Sequence, residues 1–293
     1  MGSLLTIGVP VFNGERYLAT ALAGIRAQTF TDFEVVIGDN GSTDRTPEIA
    51  AEFAAADSRF RYVRRERNIG LVPNFNQLFT DTDSEFFAWH AADDLTDPEF
   101  YGACVQLLQA NPDAAAATTE ILLMDSAGEV IGPDPEPIRG DHPDRVVRFI
   151  ELAGFNHYAQ FTYGVYRRSM MERTRLMLPF FWTSDRLFLA ELALQGRLLR
   201  DPRRLFFVRQ HTERVTLGGR ANFYAGLSAP QRGTTLRYAR ELRKAIELAD
   251  LPPAERARLR RALRWWQLRH AHRLVRSAAG ALVSAGARAL RRS

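Results

Sequence analysis

The chain has 293 residues, 46% hydrophobic and 25% charged, with a formal net charge of +5. These proportions suit one large domain or two ordinary ones and exclude a wholly disordered, collagen-like or coiled-coil chain. A single cysteine, Cys104, excludes an intrachain disulfide and a paired-cysteine metal knuckle, and a reducing cytoplasm is the expected setting.

The strand-helix alternation starts at once. LLTIGVPVF (4–12) is apolar and β-branched, fits a buried strand and stops at the turn signal Asn13-Gly14. ERYLATALAGIRAQ follows with Tyr17, Leu18, Ala21, Leu22 and Ile25 at helical spacing. A second strand, FEVVIGD (33–39), runs into NGSTDRTPE, where Thr46 reads as a helix N-cap, Pro47 as the first helical residue and Glu48 as a first-turn acid. RFRYVRR (59–65) is a third strand, followed by a loop with Asn68, Gly70, Asn74 and Asn76. SEFFAWH (84–90) is a fourth, and Asp97-Pro98 opens the next helix. Residues 113–123 suggest another strand, 125–145 are rich in Gly, Pro and Asp, and 185–195 suggest a helix. Strand-like pieces follow near 197–200 and 204–209, and from about 235 the chain is helical and basic, with a break at Pro252-Pro253. This alternation predicts an α/β fold with a mostly parallel sheet and helices on both faces.

In an open parallel α/β sheet, ligands bind outside the carboxyl ends of the strands. Three such ends carry polar side chains: Asn13, then Asp39 and Asn40, then Asp93 and Asp94. Adjacent strand ends lie about 5 Å apart, so these groups converge on one edge. Two neighbouring carboxylates at a buried strand's mouth repel unless a cation or hydrogen-bond donors compensate, and a hard divalent ion shared with phosphate oxygens does this well. The pair therefore suggests a metal-diphosphate site, with solvated loop acids as the plainer alternative. Asp97 fits helix capping better. Neither GxGxxG nor GxxxxGK[ST] occurs, so the dinucleotide fingerprint and the P-loop are excluded. GDNGSTD at the second strand's end offers short hydrogen-bonding side chains and a glycine that permits close backbone approach.

VPVFNGERYLATALAGIRAQTFTDFEVVIGDNGSTDRT followed by AADD resembles the family 2 glycosyltransferases of the GT-A fold, over about residues 4–215. The resemblance implies a GT-A domain over 1–225, with a nucleotide-binding half at about 1–112 and an acceptor-binding half at about 113–225. A basic helical extension follows over 226–293. It further implies a nucleoside-diphosphate sugar donor, a divalent cation (Mg²⁺ or Mn²⁺), a hydroxyl on a glycan or lipid-linked acceptor, and inversion at the anomeric carbon. Carried over by position, Pro10, Phe12, Asn13, Asp39, Asn40 and Asp93 border the nucleotide sugar, Asp94 is the metal ligand, and His211 completes the metal shell. Asp185 in FFWTSDRLFLAELALQG is the general base. The chain departs from the family at Asn40 and Ala91, where many members have Asp; the first bears on the base recognised and the second leaves one carboxylate fewer for the metal. For His90 and His157 ordinary packing or solvent exposure is the expectation, with contact to acceptor or donor the alternative for His90 beside the motif.

Residues 255–293 hold eleven arginines and one glutamate, which leaves the preceding body mildly acidic. In a helix over 255–269, Leu259, Ala262, Leu263 and Trp266 share one face while Arg256, Arg260 and Arg264 lie on another. Three readings stand: a helix packed on the catalytic body, peripheral contact with an anionic membrane through Trp265 or Trp266, and, least supported, RNA binding without a recognisable module. No apolar run reaches the roughly 18 residues of a membrane span and no signal peptide is recognised. Alternatives for the whole are a nucleotidyltransferase, disfavoured because PVFNGE is no basic phosphate-gripping loop, and an inactive nucleotide-sugar-binding module.

Overall fold

The computed structural model describes residues 2–133, 138–154, 159–179, 184–210 and 234–271. β1 (Leu5–Val11) and β2 (Phe33–Asp39) are buried almost throughout, as central strands covered on both faces must be. They pair in parallel, from Leu5 opposite Phe33 to Val11 opposite Asp39. β3 (Phe60–Arg64) extends the sheet beyond β2 and β4 (Phe86–Trp89) flanks β1, both parallel to their neighbours. The remaining strands are β5 (Leu95–Thr96), β6 (Ala114–Met124), β7 (Val130–Pro133), β8 (Val165–Arg167) and β9 (Arg197–Arg209). The order is β3-β2-β1-β4-β8-β6-β9-β5, with β7 on β6. Pairing is parallel between β6 and β9 and antiparallel for β8, β5 and β7. The two strand-like pieces expected near 197–209 form one strand with register shifts near Thr119 and Glu120 of β6.

One face of the sheet packs Leu5, Ile7, Val9 and Val11 against Leu18, Leu22 and Ile25 of α1 (Leu18–Arg26), Ala50 of α2 (Thr46–Ala56) and Phe100, Cys104 and Leu108 of α4 (Phe100–Ala110). Burying each large side chain contributes about 1.5–3 kcal/mol. The other face packs Val36, Phe87 and Trp89 against α3 (Leu71–Thr80) and Phe188, Leu189 and Leu192 of α7 (Ser184–Gln195). α3 is a correction, because its asparagines suggest a loop. Val72, Phe75, Leu78 and Phe79 supply a buried helical stripe, while Asn74 donates inward to the Gly38 carbonyl at 2.8 Å and Asn76 to Met177 O at 2.9 Å. At Gly38 a Cβ would sit 2.9 Å from Leu78 Cδ2 and 3.3 Å from Asn74 Oδ1, so a side chain there would force the Leu78 side chain to shift.

Two helix starts also differ from expectation. Thr46 begins α2 and its hydroxyl accepts the Gly14 N–H at 2.8 Å, while Asp44 Oδ1 accepts the Thr46 N–H at 3.0 Å. Asp97 accepts the Glu99 N–H at 3.0 Å one turn ahead of α4.

The chain also contains α5 (Arg145–Leu152), the one-turn α6 (Arg168–Met171), α8 (Thr234–Leu248) and α9 (Pro253–Arg269). α8 and α9 form a hairpin on the body. Tyr238, Leu242, Ile246, Leu259, Leu263 and Trp266 join Phe149 of α5 and Leu187 and Ala190 of α7 in a third apolar cluster. Arg175 bridges Glu191 of α7 and Glu241 of α8, and Arg145–Glu255 and Arg258–Asp144 pairs, each 2.6 Å, tie α9 to α5 and its N-cap. The described part of the basic region is thus bound to the body through its apolar face. Among the described residues no helix is long and apolar enough to cross a membrane.

Candidate active site

The ends of β1, β2 and β4 meet at one edge. Asn13 adopts a left-handed conformation (φ 52°), which Asn tolerates better than most residues. Its N–H donates to Ser42 Oγ at 2.9 Å, and its Oδ1 accepts the Thr43 N–H at 2.9 Å. Glu15 N donates to Asp44 Oδ2 and Arg45 N to Glu15 Oε2, both at 3.0 Å. A Cβ on Gly14 would lie 3.9 Å from Ala92 Cβ, so the turn after β4 borders the turn after β1.

At the end of β2, Asp39 is fully buried. Oδ1 accepts the Ser42 N–H and Oδ2 the Tyr62 hydroxyl, both at 2.8 Å, and Arg64 Nε stands 3.7 Å from Oδ2. Burial, reinforced by the bond to Asp39, pushes the Tyr62 phenol well above its ordinary range, so it remains a donor. Asn40 is also buried: Nδ2 donates to Asn68 Oδ1 at 2.9 Å and Gly70 O at 3.2 Å, and Oδ1 accepts the Ile69 N–H at 2.9 Å. Its amide therefore holds the 68–70 loop. Gly41, at φ 77°, passes so close to that loop that a Cβ would meet Arg67 C at 2.9 Å. Pro10 is buried in β1 opposite Gly38, Phe12 is half-buried and Asn13 is exposed.

The aromatic run before Asp93-Asp94 immobilises β4. Trp89 packs edge-on to Phe87, Tyr166 and Phe188 at 5.4–5.7 Å and donates Nε1–H to Phe75 O at 2.9 Å. His90 follows, fully buried, with Nδ1 2.9 Å from Tyr101 Oη and Nε2 3.3 Å from the Asp94 carbonyl. A carbonyl can only accept, so Nε2 carries the proton and Nδ1 accepts from Tyr101. Burial pulls the imidazole down to about 4, opposed by the bond to Asp94, which leaves it neutral at pH 7. His90 is thus a packed residue that orients the turn.

Asp94 is fully buried and Asp93 half-buried. Arg209, at the end of β9 and 3% exposed, holds the turn: its N–H donates to Asp94 Oδ1 and its Nε–H to Asp93 O, both at 2.9 Å. Nη1 reaches Asp125 O and Ser126 O at 3.3 Å, and the guanidinium lies 4.6 Å from the centre of the Tyr17 ring. The sequence reading missed Arg209, since its role exists only where three loops meet. It also missed Tyr62, for which the alternation of Tyr62 and Arg64 on one side of β3 was an available signal.

Asp185 lies in the first turn of α7, where a carboxylate suits the helix dipole, and its Oδ1 accepts the Arg186 N–H at 2.7 Å. Asp185 is half-buried, and desolvation by its surroundings raises its carboxyl above the ordinary range, against the lowering effect of Arg186. One turn on, Phe188 packs against Trp89 and Tyr166, each at 5.4 Å, which fixes α7 against the strand that delivers Asp93 and Asp94. His211 and His157 lie outside the described residues, and among those described no three His, Cys, Asp or Glu side chains converge as a metal site.

The sheet, its helices and this edge define an α/β fold of the GT-A type. The crystal structure of S. aureus TarS 1–349 superposes with a TM-score of 0.67 at 16% identity, covering 91% of this chain and 72% of TarS. The mannosyltransferase PcManGT from Pyrobaculum calidifontis, solved with GDP-Man and Mn²⁺, superposes with a TM-score of 0.56 at 17% identity, covering 98% of this chain and 76% of that one. The family model for Glycosyl transferase family 2 matches residues 6–175, and the chain belongs to that family. EpsH of Bacillus subtilis is 31% identical over 178 residues, 58% of this chain and 49% of EpsH. Glycosyltransferase GlyA of Streptococcus pneumoniae is 33% identical over 96 residues, 33% of this chain and 14% of GlyA. The chain thus spans about half of EpsH and less of GlyA.

Proposed function

We propose that the chain is an inverting glycosyltransferase that moves a sugar from a nucleoside-diphosphate sugar to an acceptor hydroxyl with a divalent cation, in glycan, polysaccharide or glycolipid assembly. The observation that carries this reading is the meeting of the β1, β2 and β4 ends at one edge, with Asp39 and Asp94 fully buried there. Support comes from TarS, solved with UDP and with UDP-GlcNAc, and from PcManGT, solved with GDP-Man and Mn²⁺.

The nucleoside lies along the β1 and β2 ends, bordered by Phe12, Asn13 and Asp39, while Asn40 acts through the 68–70 loop. Two adjacent carboxylates fit a hard ion such as Mg²⁺ or Mn²⁺, which takes one or two from the protein and completes its shell with phosphate oxygens and water. Asp94 would hold it, with Asp93 beside it toward the ribose; when bound, such an ion supplies neutralising charge to the departing diphosphate. Asp185 accepts the proton of the acceptor hydroxyl as that oxygen bonds to the anomeric carbon. The bond from that carbon to the diphosphate oxygen breaks, and its electron pair leaves with the diphosphate. Attack opposite the leaving group inverts the configuration through an oxocarbenium-like transition state. The raised Asp185 carboxyl makes it a better base than an exposed aspartate.

The test is a thermal-shift panel of UDP-, GDP- and dTDP-sugars with and without Mn²⁺, followed by turnover of the donor that stabilises. A ligand at 100 times its Kd adds about 2.7 kcal/mol of stability. A panel in which no donor raises the melting temperature, with or without metal, rejects the reading.

A further inference from the structure

The α8–α9 hairpin buries one side against the body and turns the other to solvent. Residues 234–271 hold ten Lys and Arg against four Asp and Glu. Of the five large hydrophobic side chains exposed among the described residues, three are on this hairpin: Leu248 (62%), Trp265 (66%) and Leu268 (65%). The structure also separates the two tryptophans, since Trp266 is buried. Between the helices lies a groove of about 260 Å³, lined by Arg243 and Glu247 of α8 and Arg260, Leu263, Arg264 and Gln267 of α9. Arg260 donates Nε–H to Glu247 at 2.8 Å and pairs with it through Nη2, so these two charges cancel. Arg243 and Arg264 are exposed and form no close ion pair among the described residues. Arg260 has the larger effect in holding the Glu247 carboxyl below the ordinary range, and Arg243 is near enough to help. At 100° per residue, Arg261, Arg264, Trp265 and Leu268 fall within an arc of about 100° on α9.

This combination matches one partner better than its rivals. A free phosphate or an acidic protein surface would engage the arginines yet offer Trp265 and Leu268 no apolar surroundings. An anionic bilayer serves both, with phosphate at the arginines, an indole at headgroup depth and a leucine towards the acyl chains. We propose that the groove between α8 and α9 seats the phosphate headgroup of an anionic phospholipid, with Trp265 and Leu268 entering the bilayer interface. This inference does not depend on the sugar-transfer reading.

The full chain is sedimented with phosphatidylcholine vesicles, with and without phosphatidylglycerol. Binding is expected only with phosphatidylglycerol. An arginine at such a surface contributes about 1 kcal/mol, or about fivefold, so Arg243→Gln/Arg264→Gln should bind about 30-fold more weakly. Anionic vesicles should blue-shift the tryptophan emission of the wild type, and Trp265→Phe should sediment like the wild type while losing most of that shift. All three replaced side chains are exposed, and unchanged melting curves confirm folding. Equal binding to both vesicle types, wild-type binding by the double variant, or an unshifted wild-type emission overturns the proposal. So does stabilisation by inorganic phosphate alone that needs the same two arginines, or retention on polyglutamate without vesicle binding.

Discussion

Replacing Asp94 by Asn separates charge from shape at the centre of the candidate site. The Asn carbonyl can still accept the Arg209 N–H that Asp94 Oδ1 accepts at 2.9 Å. A hydrogen bond to a charged group contributes about 1.5–3 kcal/mol and one to a neutral group about 1 kcal/mol, so the exchange costs on the order of 1 kcal/mol. Relief from burying a full charge offsets part of that, and the melting temperature should move by no more than about 2–4 °C. Asp94→Ala removes the acceptor as well and leaves the buried N–H without it, a further cost of about 1–3 kcal/mol. Activity should order differently. Both variants lose the carboxylate that would hold the cation, and turnover of the donor identified by thermal shift should fall about 10²-fold or more, the scale seen when one group stabilising a departing charge is removed. Differential scanning fluorimetry and turnover across a Mn²⁺ titration read both axes. Asp94→Asn turning over within about threefold of the wild type, with the same Mn²⁺ dependence, would refute the assignment, about 1.4 kcal/mol being needed for each tenfold.

Asp185→Asn should keep metal-dependent donor binding and lose transfer by about 10²–10⁴-fold. In the wild type, the raised carboxyl should place the acidic limb of kcat above the ordinary aspartate value, and a pH-rate profile with no such limb would dismiss Asp185 as the base. His90 contributes stability that varies with pH in a defined sense. Its folded value of about 4 lies below the ordinary 6.5, so the unfolded chain takes up the proton first and stability falls as pH drops from 6.5 towards 4. The difference corresponds to roughly 3 kcal/mol, and in urea melts His90→Gln should lose less stability than the wild type over that window. Leu263→Ala, at a 2%-exposed position shared with Leu187 and Ala190 of α7, should cost about 2–5 kcal/mol by calorimetry while donor affinity at low temperature persists.

The strands that build the edge were legible because buried parallel strands are continuous apolar runs, and their order and polar ends follow from topology. What escaped the sequence were elements defined by partners rather than by composition. α3 is hidden behind Pro73, Asn74 and Asn76, which mimic a loop until Gly38 O and Met177 O are seen to accept from the asparagines. β5 and β8, of two and three residues, carry no periodicity and exist because β9, β4 and β6 are there to pair with them. The Asp93-Asp94 pair was visible as chemistry, but the means of holding it was not. Arg209 is 115 residues from Asp94, and its contacts depend on loops brought together from distant parts of the chain.

Among the hydrogen bonds that cross between the β1–α1 and β2–α2 turns, five join a backbone N–H of one to a side chain of the other. Such reciprocal stitching makes the two turns a single rigid platform whose ordering is completed during folding. Under the proposed function, a nucleoside would meet an edge that is already ordered, so little affinity would be lost to arranging it. The same coupling means that the amides of Asn13, Gly14, Glu15, Thr43 and Arg45 should exchange with solvent as one cooperative unit rather than as two independent loops.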